Sequence, residues 1–178
     1  MIMLRILLFL ALCCLSCGEV AGTLSVPEPV ADYIVDANNN PLLMDFNIQL
    51  IGITDPNTPF SEFDQRPLMI YDFSPFCPYS VSNYSRFQAI ADEYKQRGLT
   101  SIAISIRSAD KEDILDFVEE QGASVPFFKD SETSEFGKKY GDGYVPRVFL
   151  IFPSGKVVRY TNSSANWNPL KTDIEKAL

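Results

Sequence analysis

Histidine is absent from this sequence of 178 residues, and cysteine occurs only 4 times. Without histidine the chain has no Ser-His or Cys-His catalytic pair and no imidazole that could bind zinc or haem. So few cysteines do not indicate a disulfide scaffold. Basic residues are also scarce, because 15 Lys and Arg stand against 23 Asp and Glu, for a formal charge of -8. Such a surface repels a phosphate backbone, so we expect no nucleic acid partner.

The remaining composition is that of a globular protein, with 46% hydrophobic and 21% charged residues. This balance excludes a disordered chain. The length suits one domain with an appendage. We therefore predict a single folded domain over residues 31–178, with one core and an N-terminal extension.

The first residues have the features of an export signal. Arg5 precedes the unbroken apolar run Ile6–Leu12, which is too short to span a bilayer. A small residue, Cys17 and a glycine follow, and this combination resembles a bacterial lipobox, in which the cysteine is lipidated and becomes N-terminal. We predict a lipoprotein signal peptide at 1–16, a lipid anchor on Cys17 and a tether at 17–30. The alternative is an ordinary signal peptide, which predicts a secreted or soluble periplasmic protein.

The rest of the chain alternates between strand and helix patterns. The predicted strands are Leu68–Phe73, Leu99–Ile106, Val125–Phe128, Val148–Phe152 and Lys156–Tyr160. Apolar residues at helical spacing lie between Val81 and Tyr94, Ile114 and Val118, Phe136 and Tyr140, and Leu170 and Ile174. A parallel crossover, an antiparallel hairpin and a closing helix predict an α/β domain built as a three-layer α/β/α sandwich with a mixed sheet.

Local signals set the expected ends of these elements. Gly98 and Gly122 are predicted to close the first two helices, and Asn168 is predicted to cap the last one. Upstream, Tyr33–Asp36 and Leu42–Ile53 form either a β-hairpin or two separate early strands. They would add an N-terminal β extension to the sheet.

Cys77 lies where the first buried strand gives way to its helix. A cysteine at a helix N-terminus faces unpaired backbone N–H groups and the positive end of the helix dipole. Both favour the thiolate, which is the nucleophilic form. Pro78 suits the first helical position, because it has no N–H to leave unpaired. After loss of the signal peptide, Cys77 is the thiol that remains in the folded domain, so we predict it to be reactive.

Five segments follow one another in a recognisable order. The segment YDFSPFCPYS ends at Ser80, and VPFFKD, FGKKY, VPRVFLI and SGKVV begin at Val125, Phe136, Val145 and Ser154. Together they resemble the thioredoxin-like proteins, especially the membrane-anchored periplasmic oxidoreductases of cytochrome c maturation. The resemblance implies a thioredoxin fold and an active site at Cys77. It also implies exported thiol or disulfide proteins as partners, and we predict neither a metal nor a cofactor.

The resemblance also implies roles for the neighbours of the cysteine. In that family the proline at Pro146 is cis and packs against the catalytic cysteine, which leaves the backbone of Val145 free to pair with a substrate chain. The alternative is that Pro146 merely begins a strand. Phe76, Pro78 and Tyr79 are predicted to contact the substrate, although Tyr79 also suits a packed surface position.

Ser80 departs from the family pattern, which is Cys-x-x-Cys. The first cysteine attacks a disulfide and the second resolves the mixed disulfide, a task that a hydroxyl cannot perform. The resemblance therefore implies that Cys77 can attack, be captured in mixed disulfides or be oxidised to a sulfenic acid, but cannot form the usual internal disulfide. The alternative is that Cys77 is a relic in a domain that only binds.

Asp72 is the candidate proton acceptor. In thioredoxins a buried acid on the strand before the cysteine aids proton transfer, but Asp72 lies one residue nearer to Cys77 than that acid does. Its side chain can therefore face the other way, and a hydrogen bond in a turn is the alternative role.

These features predict a membrane-anchored protein on the periplasmic side of a bacterial membrane, with one cysteine for thiol–disulfide exchange. A redox-inactive thioredoxin-fold binding module is the first alternative. A peroxiredoxin-like thiol peroxidase is the second, because Ser74 fits its pattern. Against it, Ile70 stands where those enzymes have proline, and Arg147 is one residue from the place of their activating arginine, which in a strand reverses the side chain.

Overall fold

The computed structural model describes residues 31–35, 39–64, 66–106, 109–141, 143–161 and 167–178. The predicted signal peptide at 1–16, the lipidation of Cys17 and the tether at 17–30 lie outside the described residues and stay predictions. Within those ranges, no helix is both long enough and apolar enough to cross a membrane.

Seven strands form one mixed sheet in the described part of the chain, in the order β1-β7-β6-β3-β4-β5-β2. The strands are β1 (Ala31–Tyr33), β2 (Leu50–Gly52), β3 (Leu68–Phe73), β4 (Thr100–Ser105), β5 (Phe127–Asp130), β6 (Arg147–Ile151) and β7 (Val157–Thr161). The helices are α1 (Pro78–Lys95), α2 (Lys111–Gln121), α3 (Glu135–Tyr140) and α4 (Asn168–Ala177). β3 pairs in parallel with β4, and β4 with β5, whereas the other pairings are antiparallel.

β3 is central and every one of its residues is buried. Successive side chains of a strand point to opposite faces, so Met69 and Tyr71 pack under α1, α2 and α4, while Leu68 and Ile70 pack on the face that carries α3. Helices on both faces of a mixed sheet make the predicted three-layer α/β/α sandwich of the thioredoxin fold, which the structure confirms.

The early segments contact each other across their turn at one antiparallel bridge, between Val35 and Pro41, where the Leu42 N–H also donates to the Ile34 carbonyl at 2.7 Å. The strands themselves separate, because β1 pairs with β7 at one edge of the sheet and β2 pairs with β5 at the opposite edge. The structure therefore has two separate strands, with a hairpin-like contact only at the turn. The pairing partners are distant in sequence, which is why the turn signal between the segments does not reveal them.

Several predicted boundaries move by one or two residues. The strand expected at Val125–Phe128 is Phe127–Asp130. Gly122 does close α2, in the left-handed conformation with φ 57°, but the C-cap of α1 is Gln96 and not Gly98. The N-cap of α4 is Trp167, so the prediction that Asn168 caps this helix is wrong by one residue. Helix ends are set by competition among neighbouring hydrogen bonds, which composition alone does not resolve.

Candidate functional site

Cys77 occupies the N-cap of α1, as its sequence context predicts. Its backbone is extended, with φ -94° and ψ 115°, and Pro78 begins the helix. The Cys77 N–H donates to the Ser74 carbonyl at 3.1 Å, and its own carbonyl accepts the Val81 N–H at 3.1 Å. These two bonds close the loop between β3 and α1. The thiol is half-buried and unbridged, so it is positioned by backbone geometry at a helix N-terminus.

The sulfur of Cys77 lies against the segment that precedes β6. Its S–H donates to the Val145 carbonyl at 3.6 Å. The peptide bond between Val145 and Pro146 is cis, as the resemblance implies, and Pro146 does not begin a strand, because β6 starts at the following residue. Two loops separated by 68 residues in sequence therefore meet at one sulfur atom.

Ser80 is completely buried in the first turn of α1. Its Oγ accepts the backbone N–H of Ser74 at 3.3 Å, and its carbonyl accepts the hydroxyl of Tyr71 at 2.7 Å. Burial, reinforced by the nearby Cys77, raises the pKa of Tyr71 far above its ordinary value, so this phenol remains a neutral donor. The hydroxyl at the resolving-cysteine position thus fixes the loop that carries Cys77.

Asp72 does not face the cysteine. Its carboxylate oxygen Oδ2 accepts from Nη2 of Arg147 at 2.8 Å and from Nε at 3.1 Å, and both side chains are buried. The two residues are opposite each other in the β3–β6 register. By strand alternation Asp72 shares the face of Ile70, whereas α1 covers the other face. The candidate role as proton acceptor for Cys77 is not supported by this placement, and the alternative turn hydrogen bond is replaced by an ion pair.

The same ion pair bears on the peroxiredoxin alternative. An activating arginine must direct its guanidinium at the reactive sulfur. The guanidinium of Arg147 is instead bound to Asp72 and lies over the ring of Phe149, with its carbon 5.8 Å from the ring centroid. Phe149 belongs to the core on the α3 face, so Arg147 points away from α1, as the one-residue offset in the sequence predicts.

Three aromatic side chains near Cys77 or Val145 in sequence are open to solvent. Phe76 is 64% exposed, Tyr79 67% and Tyr144 77%. Pro78 is also exposed and Val145 is half-buried. The sequence interpretation named four of these five residues and missed Tyr144. The sequence did contain a signal for Tyr144, because it directly precedes Val145 in the loop before the cis proline, and this loop contacts the cysteine.

Comparison with known proteins gives one family and many similar folds. Residues 39–178 match the Redoxin family. Comparison of the sequence with curated proteins found no match. A secreted Mycobacterium tuberculosis disulfide oxidoreductase, described as homologous to Escherichia coli DsbE, is similar with 15% identity and a TM-score of 0.61 over 71% of this chain and 93% of that one. A Corynebacterium glutamicum thiol-disulfide isomerase has 17% identity and a TM-score of 0.66, with 78% and 97% covered.

A third similar structure is a thiol-disulfide oxidoreductase from Bacteroides fragilis, with 20% identity and a TM-score of 0.61 over 72% of this chain and 95% of that one. Identities this low establish the fold and not the activity. Within the described residues no group of three or more acidic or sulfur side chains could hold a metal ion. The family match spans most of the sequence, from residue 39 through β2 to the last helix, and the chain therefore belongs to the Redoxin family.

Proposed function

We propose that this chain is a membrane-anchored thioredoxin-like protein that uses Cys77 alone for thiol–disulfide exchange with exported proteins. The observation that carries the proposal is the placement of the Cys77 sulfur at the N-cap of α1, 3.6 Å from the Val145 carbonyl that precedes the proline. The family match and the oxidoreductases among the similar structures support this chemistry.

The helix terminus supplies the activation. The thiol of Cys77 makes no capping hydrogen bond to the helix, and Pro78 removes one N–H from the first turn. The remaining N–H groups and the positive end of the helix dipole lie at the terminus that Cys77 caps. The thiolate, and not the thiol, attacks a disulfide.

The reaction is a single exchange. The Cys77 thiolate attacks one sulfur of a partner disulfide, forms a new S–S bond and breaks the old one. The electron pair leaves with the partner's other sulfur, which takes a proton from water. Because Ser80 is a hydroxyl, no second sulfur of this chain displaces the partner, so the mixed disulfide ends only when an external thiol attacks it or when the partner's own released thiol reverses the step. The external thiol forms a disulfide with the partner and releases Cys77 as a thiolate.

The exposed aromatic side chains of Phe76, Tyr79 and Tyr144 supply the contact surface. Large aromatic rings bury much apolar area when a partner covers them, and they lose little conformational freedom. A partner chain that presents its disulfide to Cys77 would lie across these rings. The predicted lipid on Cys17 would hold the domain at the periplasmic face of a membrane, where exported proteins pass.

The test is capture of a defined disulfide. The purified protein or its Cys77→Ser variant is mixed with a peptide whose single cysteine carries a 2-thiopyridyl disulfide, so that the leaving group departs as 2-thiopyridone, and the products are separated by mass without reductant. We expect a stable adduct of one peptide on the wild-type protein, none on Cys77→Ser, and release of the peptide by dithiothreitol. Absence of an adduct with the wild-type protein would refute the exchange chemistry.

The binding-module alternative also has an observation in its favour, because the exposed rings of Phe76, Tyr79 and Tyr144 would bind a partner without any sulfur chemistry. Partner binding that is equal in wild type and Cys77→Ala, and weakened in Tyr144→Ala, would favour this second function. Under thiol–disulfide exchange, Cys77→Ala abolishes covalent capture while it leaves the weak contact of the rings.

A further inference from the structure

A second concave site lies at the end of the molecule opposite the thiol. It is a cleft of about 550 Å³ between the C-terminal part of α1, the start of β4 and the segment before β5. α1 runs from Pro78 to Lys95, and at about 1.5 Å per residue it separates Lys95 at the cleft from Cys77 by roughly 27 Å. The volume lies within the range of small-molecule sites.

Two cations line the cleft without an ion pair to any described residue. Arg66 and Lys95 line it, and neither forms an ion pair within the described residues, although the protein as a whole is strongly acidic. Elsewhere most described cations are neutralised, as Lys139 is by Asp45 and Lys171 by Glu93. Leaving two cations unneutralised at one cleft of an acidic protein creates a local attraction for anions.

The acid in the lining does not cancel this charge. Asp92 is the one carboxylate among the lining residues, and its Oδ1 accepts from Nε2 of Gln88 at 2.9 Å. Gln88 is held in turn by the hydroxyl of Ser124, because Nε2 donates to it at 2.6 Å. With two cations and one acid, the lining has a net positive charge of one.

The remaining lining offers apolar contacts. The hydroxyl of Ser101 is buried with no hydrogen-bond partner within the described part of the chain, so it lies behind the surface of the cleft. Leu99, Val125 and Pro126 supply an apolar wall. A ligand that fits has anionic oxygens at one end and a small apolar body at the other.

We propose that this cleft binds a small organic anion, a phosphate ester or a carboxylate, with its charged oxygens between Arg66 and Lys95 and its apolar part against Leu99 and Val125. The site is independent of the proposed exchange at Cys77. An anion bound there would approach guanidinium and ammonium donors, which make the stronger, charge-assisted hydrogen bonds.

The experiment is an amide-resolved NMR titration of the purified protein. Phenyl phosphate and benzoate are the two anionic probes, and benzyl alcohol is the uncharged control of similar shape. We expect saturable shifts at the amides of Gly98, Thr100 and Ser101 with one or both anions, weak or no shifts with benzyl alcohol, and unshifted amides around Cys77. The anion that binds more tightly identifies the head group.

Variants test which charged side chains bind the anion. In the double variant Arg66→Gln, Lys95→Gln the affinity should fall at least about tenfold, because each lost charged contact contributes on that scale. The matched control is Arg86→Gln, an exposed cation of α1 that does not line the cleft, and it should bind like the wild type. The proposal is overturned if neither anion gives saturable shifts, if the double variant binds equally well, or if benzyl alcohol binds as tightly as the anions. These outcomes say nothing about the exchange at Cys77, so the two proposals fail separately.

Discussion

The buried ion pair between Asp72 and Arg147 offers a stringent test of the structure. Both side chains are almost completely buried, 0% and 2% exposed, and the pair joins β3 to β6 directly beside the two loops that meet at Cys77. Replacing Arg147 with methionine keeps much of the side-chain length but leaves the Asp72 carboxylate buried with its cation gone. Breaking a buried pair in this way costs about 3–5 kcal/mol.

That loss is a large share of the stability of a domain, which is about 5–15 kcal/mol. We therefore expect Arg147→Met to lower the free energy of unfolding at neutral pH by about 3–5 kcal/mol. The measurement is equilibrium unfolding in urea, with the slope checked so that the change is one of stability and not of compactness.

Two controls separate the ion pair from general damage. Arg97→Met makes the same substitution in the pair of Arg97 with Glu175, whose side chains are 49% and 46% exposed, and such exposed pairs contribute little to stability because water and salt screen them. The double variant Asp72→Leu, Arg147→Met removes both charges, and we expect it to be more stable than Arg147→Met alone, because no buried charge remains. If Arg147→Met costs no more than Arg97→Met, or if the double variant is less stable than the single one, the reasoning is refuted.

Three further predictions concern the site, the core and the titration of a buried tyrosine. Ser80→Cys should form an internal disulfide with Cys77 under mild oxidant and gain insulin-reductase turnover; a count of two free thiols after oxidation would contradict this. Phe117→Ala should lower the free energy of unfolding by about 3–5 kcal/mol, because this ring is 3% exposed and packs on three other core rings. Its control is Leu115→Ala, at a 38% exposed position, which should stay within about 1 kcal/mol of wild type in the same unfolding assay. Burial raises the pKa of Tyr140 to about 12, above the pKa of about 10 expected in the unfolded chain. The stability that this difference contributes is therefore complete below the unfolded pKa and is lost as the pH rises through the folded pKa. An ultraviolet difference titration against Tyr140→Phe that shows ionisation near pH ~10 would contradict this.

Much of the architecture follows from local signals in the sequence. The segment Leu68–Phe73, apolar except for Asp72, together with Pro78 and the helical spacing beyond it predicts a buried strand, a helix that begins at Pro78 and a cysteine at the N-terminus of that helix. The structure has all three. Gly122 closes α2 for an equally local reason, since the left-handed conformation there suits glycine. Such features depend on neighbours within a few residues, so the sequence alone predicts them.

Contacts between distant segments required the tertiary structure. From the sequence, the side chain of Asp72 could lie on either face of the sheet. Only the antiparallel register with β6 shows that its carboxylate pairs with Arg147, 75 residues away. The two early strands lie at opposite edges of the sheet for the same reason, because their partners come late in the chain.

The surroundings of the thiol were likewise predictable from the sequence only in part. The sequence by itself determined that Cys77 lies at the N-terminus of a helix and that Ser80 cannot replace a resolving cysteine. Only the fold brought the Val145 carbonyl to the sulfur, exposed Tyr144 beside it and gathered Arg66 and Lys95 at a cleft on the far end of α1. Helical spacing and turn chemistry act over a few residues, whereas these contacts depend on how the whole sheet pairs, and no short stretch of sequence encodes that pairing.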